Sequence, residues 1–264
     1  MKKIIHLSDL HIGYKKQDLA RRFEGIVQSI IFVKEPAEDY VIVVTGDLVE
    51  KATDPANHET AKRYLERLQS HGFTVLVVPG NHDYGMGSKA YQRHQKKFKE
   101  LFYNDANCIF PRLDIIDEVA FIGLDSMEAE LHFFDSFGAN GELGTEQRQR
   151  LDAVLDRQDV QSCRYRVIYL HHHPFDPWLF HELKDSRELG EIVTRHGNVD
   201  AILFGHNHHF RKWNGKWGIP RCYDAGSSTR KNDTPSFHRV IDLSKPPAQD
   251  YDADFFYELP PRAK

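Results

Sequence analysis

Short apolar runs alternate along the chain with longer stretches in which apolar residues recur at helical spacing. The runs are mostly rich in Val and Ile, which is typical of buried strands. We predict strands at residues 3–7, 40–44, 74–78, 119–124, 167–170 and 201–204, and helices at 17–33, 58–70, 88–102, 145–157 and 186–196. Strands and helices that alternate in this way predict an α/β fold with largely parallel pairing.

The pattern changes after residue 204. Residues 217–223, 237–243 and 255–259 are predicted as strands without intervening helices, and antiparallel strands at one edge or in a second sheet are the simplest account. No repeat or linker interrupts the chain. We therefore expect one domain over residues 1–264, with a motif-bearing core at 3–210, C-terminal strands within 215–259 and a loose tail at 260–264.

Length and composition exclude several classes of protein. A chain of 264 residues with 40% hydrophobic residues can bury about 73% of its unfolded surface, so wholesale disorder is excluded. No apolar run reaches the length of a membrane helix, and the first residues are too short an apolar stretch for a signal peptide. Three cysteines without metal-type spacing favour a reducing cytoplasm. The net charge of −4 gives no basic footprint for nucleic acid, which is not expected as a partner.

Candidate chemistry is concentrated in five polar blocks, each directly after a predicted strand. They are Ser8-Asp9-Leu10-His11, Thr45-Gly46-Asp47-Leu48, Pro79-Gly80-Asn81-His82-Asp83, His171-His172-His173-Pro174 and Gly205-His206-Asn207-His208. Loops at the carboxyl ends of parallel strands converge on one crevice, so these blocks are expected to meet. Carboxylates, imidazoles and one amide suit divalent transition metals, and the lack of cysteine argues against a structural zinc site.

Spacing within the blocks supports this interpretation. Asp9 and His11 are two residues apart, as are His206 and His208, and in an extended chain such pairs point to the same side. Glycines before Asp47 and Asn81 permit tight turns where a ligand approaches. The histidines outside the blocks are expected to be ordinary surface residues: His58, His71, His94, His132, His181, His196 and His238.

Taken in order, the five blocks resemble the calcineurin-like metallophosphoesterase superfamily, whose pattern is D-x-H, GD, GNH-[DE], H and GHxH. The resemblance spans residues 9–208. In layout the chain most resembles the single-domain bacterial phosphodiesterases of the class III cyclic-nucleotide type. Two further segments also match that group: Leu124-Asp125-Ser126, and Gly144 with Glu146-Gln147. It implies an α/β fold, a metallophosphoesterase-type β-sandwich of two mixed sheets flanked by helices.

The resemblance also implies two metal sites that share Asp47. Asp9, His11 and His208 would complete the first site, and Asn81, His206 and one histidine of the triple would complete the second. The family's ligand typically lies two residues before the proline, which selects His172, while His171 and His173 stay open because three adjacent imidazoles leave the register undetermined. Two divalent ions are implied, and Mn, Fe and Zn all suit these ligands.

The implied activity is metal-dependent hydrolysis of a small phosphodiester or phosphomonoester, with cyclic nucleotides among the candidate substrates. A hydroxide that bridges the two ions would attack phosphorus directly. His82 is the candidate general acid, and Asn81, His82 and His208 would contact the substrate. Glu50, three residues beyond Asp47, is expected to orient His82, with Asp83 as the local alternative.

Two alternatives belong to other functional classes. Residues 8–13 also resemble the opening of the double-strand-break repair nucleases, but those are longer and carry a DNA-capping domain, for which this chain leaves little room. Some superfamily members have lost ligands and serve as interaction scaffolds, whereas all seven predicted ligands are present here. A homodimer is left open.

Overall fold

In the computed structural model the described residues are 2–15, 18–85, 88–128, 139–176, 182–229, 237–255 and 259, excluding the side chains of 88–91 and 237. The strands are β1 (Lys3–Leu7), β2 (Tyr40–Thr45), β3 (Thr74–Val78), β4 (Arg112–Ile116), β5 (Val119–Gly123), β6 (Tyr165–Tyr169), β7 (Ala201–Phe204), β8 (Arg221–Asp224), β9 (Phe237–Asp242) and β10 (Tyr251–Asp254). The helices are α1 (Leu19–Ile31), α2 (Pro55–Ser70), α3 (Asn81–Tyr84), α4 (Ser88–Tyr103), α5 (Gly144–Leu155), α6 (Gln158–Ser162) and α7 (Ser186–His196). The tail predicted at 260–264 lies outside the described residues.

The strands form two five-stranded sheets, ordered β10-β9-β1-β2-β3 and β4-β5-β6-β7-β8. Parallel pairs make up the centre of each sheet, while β9 and β10 in the first and β4 in the second pair antiparallel. The predicted α/β sandwich of two mixed sheets flanked by helices is therefore confirmed.

Alternation of buried residues along the strands builds the layers, because successive strand side chains point to opposite faces. Ile4 and Val41 pack in one cluster with Phe121 of the other sheet, which fills the space between the sheets. Ile5 and its neighbours on the same face pack instead with α1 and α2. The outer face of the second sheet is covered in the same way by α5, α6 and α7.

Several elements differ from the sequence prediction, among them the short helices α3 and α6, which the apolar pattern does not predict. Strand β4 was not predicted, because Arg112 and Asp114 interrupt its apolar pattern and it lies at a sheet edge. Strand β8 pairs parallel with β7, so the expectation of antiparallel strands is wrong for it, whereas β9 and β10 pair antiparallel at one edge of the first sheet as expected. The last strand is β10 at Tyr251–Asp254, rather than a strand at 255–259, of which only Phe255 and Leu259 are described.

Two histidines expected at the surface are buried, His58 at 4% and His238 at 1% exposure. His58 lies on α2 with its ring 6.2 Å from that of Phe98, in a T-shaped contact. Among the described residues no helix combines the length and the apolar content needed to cross a bilayer.

Candidate metal centre

Five site residues adopt left-handed backbone conformations at the ends of strands: Asp9 (φ 53°), His11 (44°), Asp47 (52°), His206 (75°) and His208 (54°). Such conformations cost energy in L-residues and cluster at functional sites, where the surrounding structure enforces them. The extended geometry predicted for the two i, i+2 pairs is therefore wrong. Asp9 and His11 still lie in one cluster, whereas His206 and His208 enter two different ones.

The first cluster consists of Asp9, His11 and His208. Nε2 of His208 lies 3.1 Å from Oδ1 of Asp9 and 3.1 Å from Nε2 of His11. Asp9 and His11 are buried, while the side chain of His208 is 26% exposed. One carboxylate oxygen and two imidazole nitrogens thus converge, open to solvent on the side of His208.

The second cluster brings His171, His172 and His206 together, and Asn81 and Asp47 lie against His171. Nε2 of His171 lies 3.1 Å from Oδ1 of Asn81, 3.2 Å from Nδ1 of His206 and 3.4 Å from Oδ2 of Asp47. Nδ1 of His171 donates to the Thr45 carbonyl at 2.7 Å. This bond fixes the tautomer, so the neutral ring presents the lone pair of Nε2 to the cluster.

The other two histidines of the triple have different surroundings. Nδ1 of His172 lies 2.7 Å from the Ser126 hydroxyl, and its ring packs 4.3 Å from that of His206. Nδ1 of His173 accepts the main-chain N–H of Phe175 at 3.1 Å, and its ring packs against Phe204. His172 therefore lies in the second cluster with His171 and His206, whereas His173 points into the apolar layer of the second sheet.

Asp47 lies between the two clusters. Its Oδ2 is 3.4 Å from Nε2 of His171 and 3.8 Å from Nε2 of His11. Its Oδ1 accepts the main-chain N–H of His82 at 2.9 Å, which leaves Oδ2 facing the centre. A Cβ at Gly80 would lie 2.2 Å from Oδ1 of Asp47, so only glycine permits this approach of the two loops.

His82 is held by the main chain. Its Nδ1 donates to the carbonyl of Glu50 at 2.8 Å. The carboxylate of Glu50 lies 3.1 Å from Nδ1 of His11. Asp83 accepts the main-chain N–H groups of Leu48 and Gly80 at 2.9 Å each and so joins the loops after β2 and β3.

The loop after β8 supports the first cluster, although none of the five polar blocks includes it. The Ser227 hydroxyl donates to the Asp9 carbonyl at 2.8 Å, and the Thr229 hydroxyl donates to the Leu10 carbonyl at 2.7 Å. The available signal in the sequence is the run of hydroxyl residues at 227–229, which begins three residues after the buried strand β8 ends. The Ser8 hydroxyl, 2.6 Å from Oδ2 of Asp9, restrains the carboxylate itself.

Charge in the metal-free centre follows from burial and proximity. Burial raises the pKa of Asp47, but the neighbouring His171, His82 and His11 outweigh it and hold that pKa well below its usual range. Burial lowers the pKa of His171, yet Asp47 and Asp9 reverse this and raise it to about 9. A proton on His171 therefore takes the place that a cation would hold among these acceptor atoms.

His172 and His82 differ in charge. Burial and the charge of His171 lower the pKa of His172 well below the ordinary value. Burial also lowers the pKa of His82, but the charge of Asp47, the Glu50 carbonyl and the charge of the Glu50 carboxylate outweigh it and raise that pKa. His82 is therefore suited to carry a proton near neutral pH.

The donor set fits divalent metal ions. Imidazole nitrogens approach to 3.1 and 3.2 Å in the two clusters, and lone pairs at such distances repel unless a proton or cation lies between them. Oxygen and imidazole donors without thiolate suit Mn, Fe and Zn alike. The residues present therefore fit a metal centre, with Asp47 able to face both clusters.

Comparison with known proteins is consistent with this geometry. The calcineurin-like phosphoesterase family profile matches residues 2–210. The chain is 30% identical over 227 residues to the 3',5'-cyclic adenosine monophosphate phosphodiesterase CpdA of Haemophilus influenzae, covering 81% of this chain and 73% of that protein. It is 25% identical over 228 residues to a 3',5'-cyclic-nucleotide phosphodiesterase of Nostoc, covering 78% and 71%.

Among solved structures, a dimetal phosphatase from Danio rerio superposes with a TM-score of 0.61 at 13% identity, over 90% of this chain and 91% of that one. At this identity the likeness shows the fold alone. The family match covers most of the chain and includes all five polar blocks. The chain therefore belongs to the calcineurin-like phosphoesterases and is a metal-dependent phosphoric ester hydrolase.

Proposed function

We propose that this chain hydrolyses a small phosphodiester, with a 3',5'-cyclic nucleotide as the favoured substrate class, at a centre of two divalent ions. The observation that carries the proposal is the position of Asp47, whose Oδ2 faces Nε2 of both His11 and His171. A single carboxylate so placed can serve two ions. The names of the relatives in Haemophilus and Nostoc support the cyclic-nucleotide class.

For the ligands we propose Asp9, His11, Asp47 and His208 at the first site, and Asp47, Asn81, His171 and His206 at the second. His171 replaces His172 of the sequence interpretation, because His171 lies against both Asn81 and Asp47. His172 also lies in this cluster, but its Nδ1 is bonded to Ser126. Two bound divalent ions would lower the pKa of a water nucleophile and neutralise charge on the phosphoryl oxygens.

The chain's own residues would then act on the substrate from the open side of the centre. His82 and His208 are partly exposed there, while Asn81 is buried behind them. We propose that protonated His82 delivers its proton to the leaving oxygen, with its ring held through Nδ1 by the Glu50 carbonyl. That bond leaves Nε2 as the nitrogen that can face the substrate.

A metal-by-substrate screen tests the proposal. Metal-free protein would be loaded with Mn, Fe, Zn or Mg and assayed on 3',5'-cyclic AMP, bis-p-nitrophenyl phosphate, a phosphomonoester and single-stranded DNA. We expect a metal-dependent rate that is highest on the cyclic nucleotide among natural substrates. Cleavage of DNA in preference to the cyclic nucleotide would favour a nuclease instead, and a folded protein that takes up no divalent ion would overturn the two-ion centre.

A further inference from the structure

Glu50 has two distinct contacts, one from its main chain and one from its side chain. Its carbonyl oxygen accepts the Nδ1–H of His82 at 2.8 Å. Its carboxylate oxygen Oε2 lies 3.1 Å from Nδ1 of His11, and the two side chains are 19% and 1% exposed. The carbonyl therefore holds the His82 ring, whereas the carboxylate lies against His11 and within 4.8 Å of a nitrogen of His82.

The ring of His11 joins Glu50 to the first cluster. Nδ1 of His11 faces the Glu50 carboxylate, while Nε2 lies 3.1 Å from Nε2 of His208 and 3.8 Å from Oδ1 of Asp9. The two atoms are within ion-pair distance but are not aligned as a hydrogen bond. The negative charge of the carboxylate still favours the tautomer of His11 that carries its proton on Nδ1, the nitrogen nearer to that charge. The lone pair of Nε2 is then directed at the cluster.

Such pairing has known consequences for a metal ligand. A carboxylate behind an imidazole fixes its tautomer and orientation and raises its basicity, and loss of the carboxylate typically costs 10–100-fold in metal affinity or activity. The second cluster has a different arrangement, since Nδ1 of His171 donates to the Thr45 carbonyl. Glu50 is therefore placed to affect the first cluster selectively.

We propose that the Glu50 carboxylate is a positioning residue for His11, and thereby for the first metal site, and that it does not orient His82. This inference rests on the proposed two-ion centre. It replaces the sequence expectation for Glu50, because the contact that holds His82 comes from the main chain and survives substitution of the side chain. The charge of the Glu50 carboxylate also raises the pKa of His82, but the positioning role proposed for the side chain is on His11 and the first metal site.

The main test compares Glu50→Gln with wild type and with Glu146→Gln, a glutamate whose side chain is 88% exposed on α5. Metal-free proteins are titrated with Mn²⁺ against a competing chelator, and their thermal unfolding is compared. We expect Glu50→Gln to bind the first ion about 10–100-fold more weakly, with unchanged affinity at the second site and wild-type thermal unfolding in the metal-free state. Glu146→Gln should match wild type throughout.

Activity gives a second readout that a merely structural role would not produce. Because the defect lies in metal binding, the rate of Glu50→Gln should recover as Mn²⁺ is raised, by the same factor for nitrophenyl and alkyl esters. Glu50→Ala, which also keeps the main-chain carbonyl, should behave alike. Unchanged affinity at both sites, an equal loss at both, or a loss confined to poor leaving groups would each overturn the proposal.

A tautomer measurement separates this inference from the proposed function. Nitrogen-15 NMR of metal-free protein, with the His11 signals assigned by their loss in His11→Asn, should show the Nδ1–H tautomer in wild type and a shifted tautomer population in Glu50→Gln. The same tautomer in both proteins would contradict the proposed role of Glu50, even if two metal ions are shown to bind. If wild type binds no metal, the proposed centre fails, while this measurement still decides whether Glu50 controls the His11 ring.

Discussion

Oδ1 of Asp47 accepts the main-chain N–H of His82 at 2.9 Å, so the loop after β3 fixes the direction in which the loop after β2 presents its carboxylate. The free oxygen, Oδ2, then faces both His11 and His171. This relationship couples the two halves of the centre through one residue. The first prediction follows from it.

We expect Asp47→Asn to lose metal from both sites and to retain little activity. An amide oxygen is a weaker ligand than a carboxylate, and the loss affects both ions at once. The fall in metal affinity should exceed about 100-fold, the upper range for a residue that only supports a ligand. Equilibrium dialysis with metal analysis measures it, and near-normal occupancy of either site would contradict a shared ligand.

The second prediction concerns the histidine triple. His171→Ala should deplete the second site far more than His172→Ala, because only His171 lies against both Asn81 and Asp47. His173→Ala serves as the matched control, since that ring packs against Phe204 and should leave metal content unchanged. Metal analysis of the three purified variants measures the metal content of each. A larger loss of metal in His172→Ala than in His171→Ala would support His172 as the ligand, as the sequence interpretation has it.

Much of this architecture could be predicted from the sequence, and the reason is physical. Parallel strands buried on both faces contain runs of Val and Ile, as in β2, and the polar residues that follow them mark the carboxyl ends where ligands bind. Strand β4 could not be predicted in this way, because an edge strand carrying Arg112 and Asp114 lacks the apolar pattern.

The details of the centre depend on contacts between distant segments. Which histidine of the triple faces Asn81 depends on how two sheets pack, and no local pattern in residues 171–174 contains that information. Likewise, the family resemblance assigned Glu50 to His82, but a sequence pattern cannot distinguish a contact of the main-chain carbonyl, as observed, from one of the side chain. The left-handed backbone at Asp9 and His11 is imposed by the loops that surround them.

A third prediction tests the close approach of Gly80 to Asp47. In Gly80→Ala the new methyl group would lie 2.2 Å from Oδ1 of Asp47, which forces the two loops apart. We expect weakened metal binding at both sites together with lower stability. Gly215→Ala is the control, because its Cβ meets nothing within 4 Å although its φ of +85° is strained. Gly215→Ala should lose about 1 kcal/mol of stability and keep its metal affinity. If Gly80→Ala instead binds metal as tightly as wild type, the two loops can move apart without disturbing the ligands, and the prediction is wrong.

The fourth prediction concerns acid stability and His58. Burial, with Lys97 and His94 nearby and Asp54 opposing them, lowers the pKa of His58 to about 4 from 6.5. Above pH 6.5 the ring is neutral in both states. As the pH falls from 6.5 towards 4, the unfolded chain binds a proton that the folded chain does not, so the free energy of unfolding decreases.

Between pH 7 and 5 the protonation of His58 in the unfolded chain lowers the free energy of unfolding of wild type by about 2 kcal/mol. His58→Leu should lack this contribution. Urea unfolding of the metal-free proteins at several pH values measures the difference. Between pH 8 and 7, where the ring is neutral in both states, the two proteins should run parallel and serve as an internal control. Equal losses of stability from pH 7 to 5 would mean that His58 is protonated in the folded protein.

The last prediction separates metal binding from proton transfer at His82. His82 follows a proposed ligand but lies outside both clusters of donor atoms around Asp47, with Nδ1 committed to the Glu50 carbonyl. His82→Ala should therefore keep both ions while turnover falls by about 10²–10⁴-fold on esters with poor leaving groups. A nitrophenolate leaves as a stable anion and needs little protonation, so the loss on nitrophenyl esters should be smaller. The matched comparison is Glu50→Gln, whose loss should be independent of the leaving group and recover with added Mn²⁺. An equal loss of rate for His82→Ala on both ester types, with both metals bound, would mean that His82 binds the phosphoryl group and does not deliver a proton.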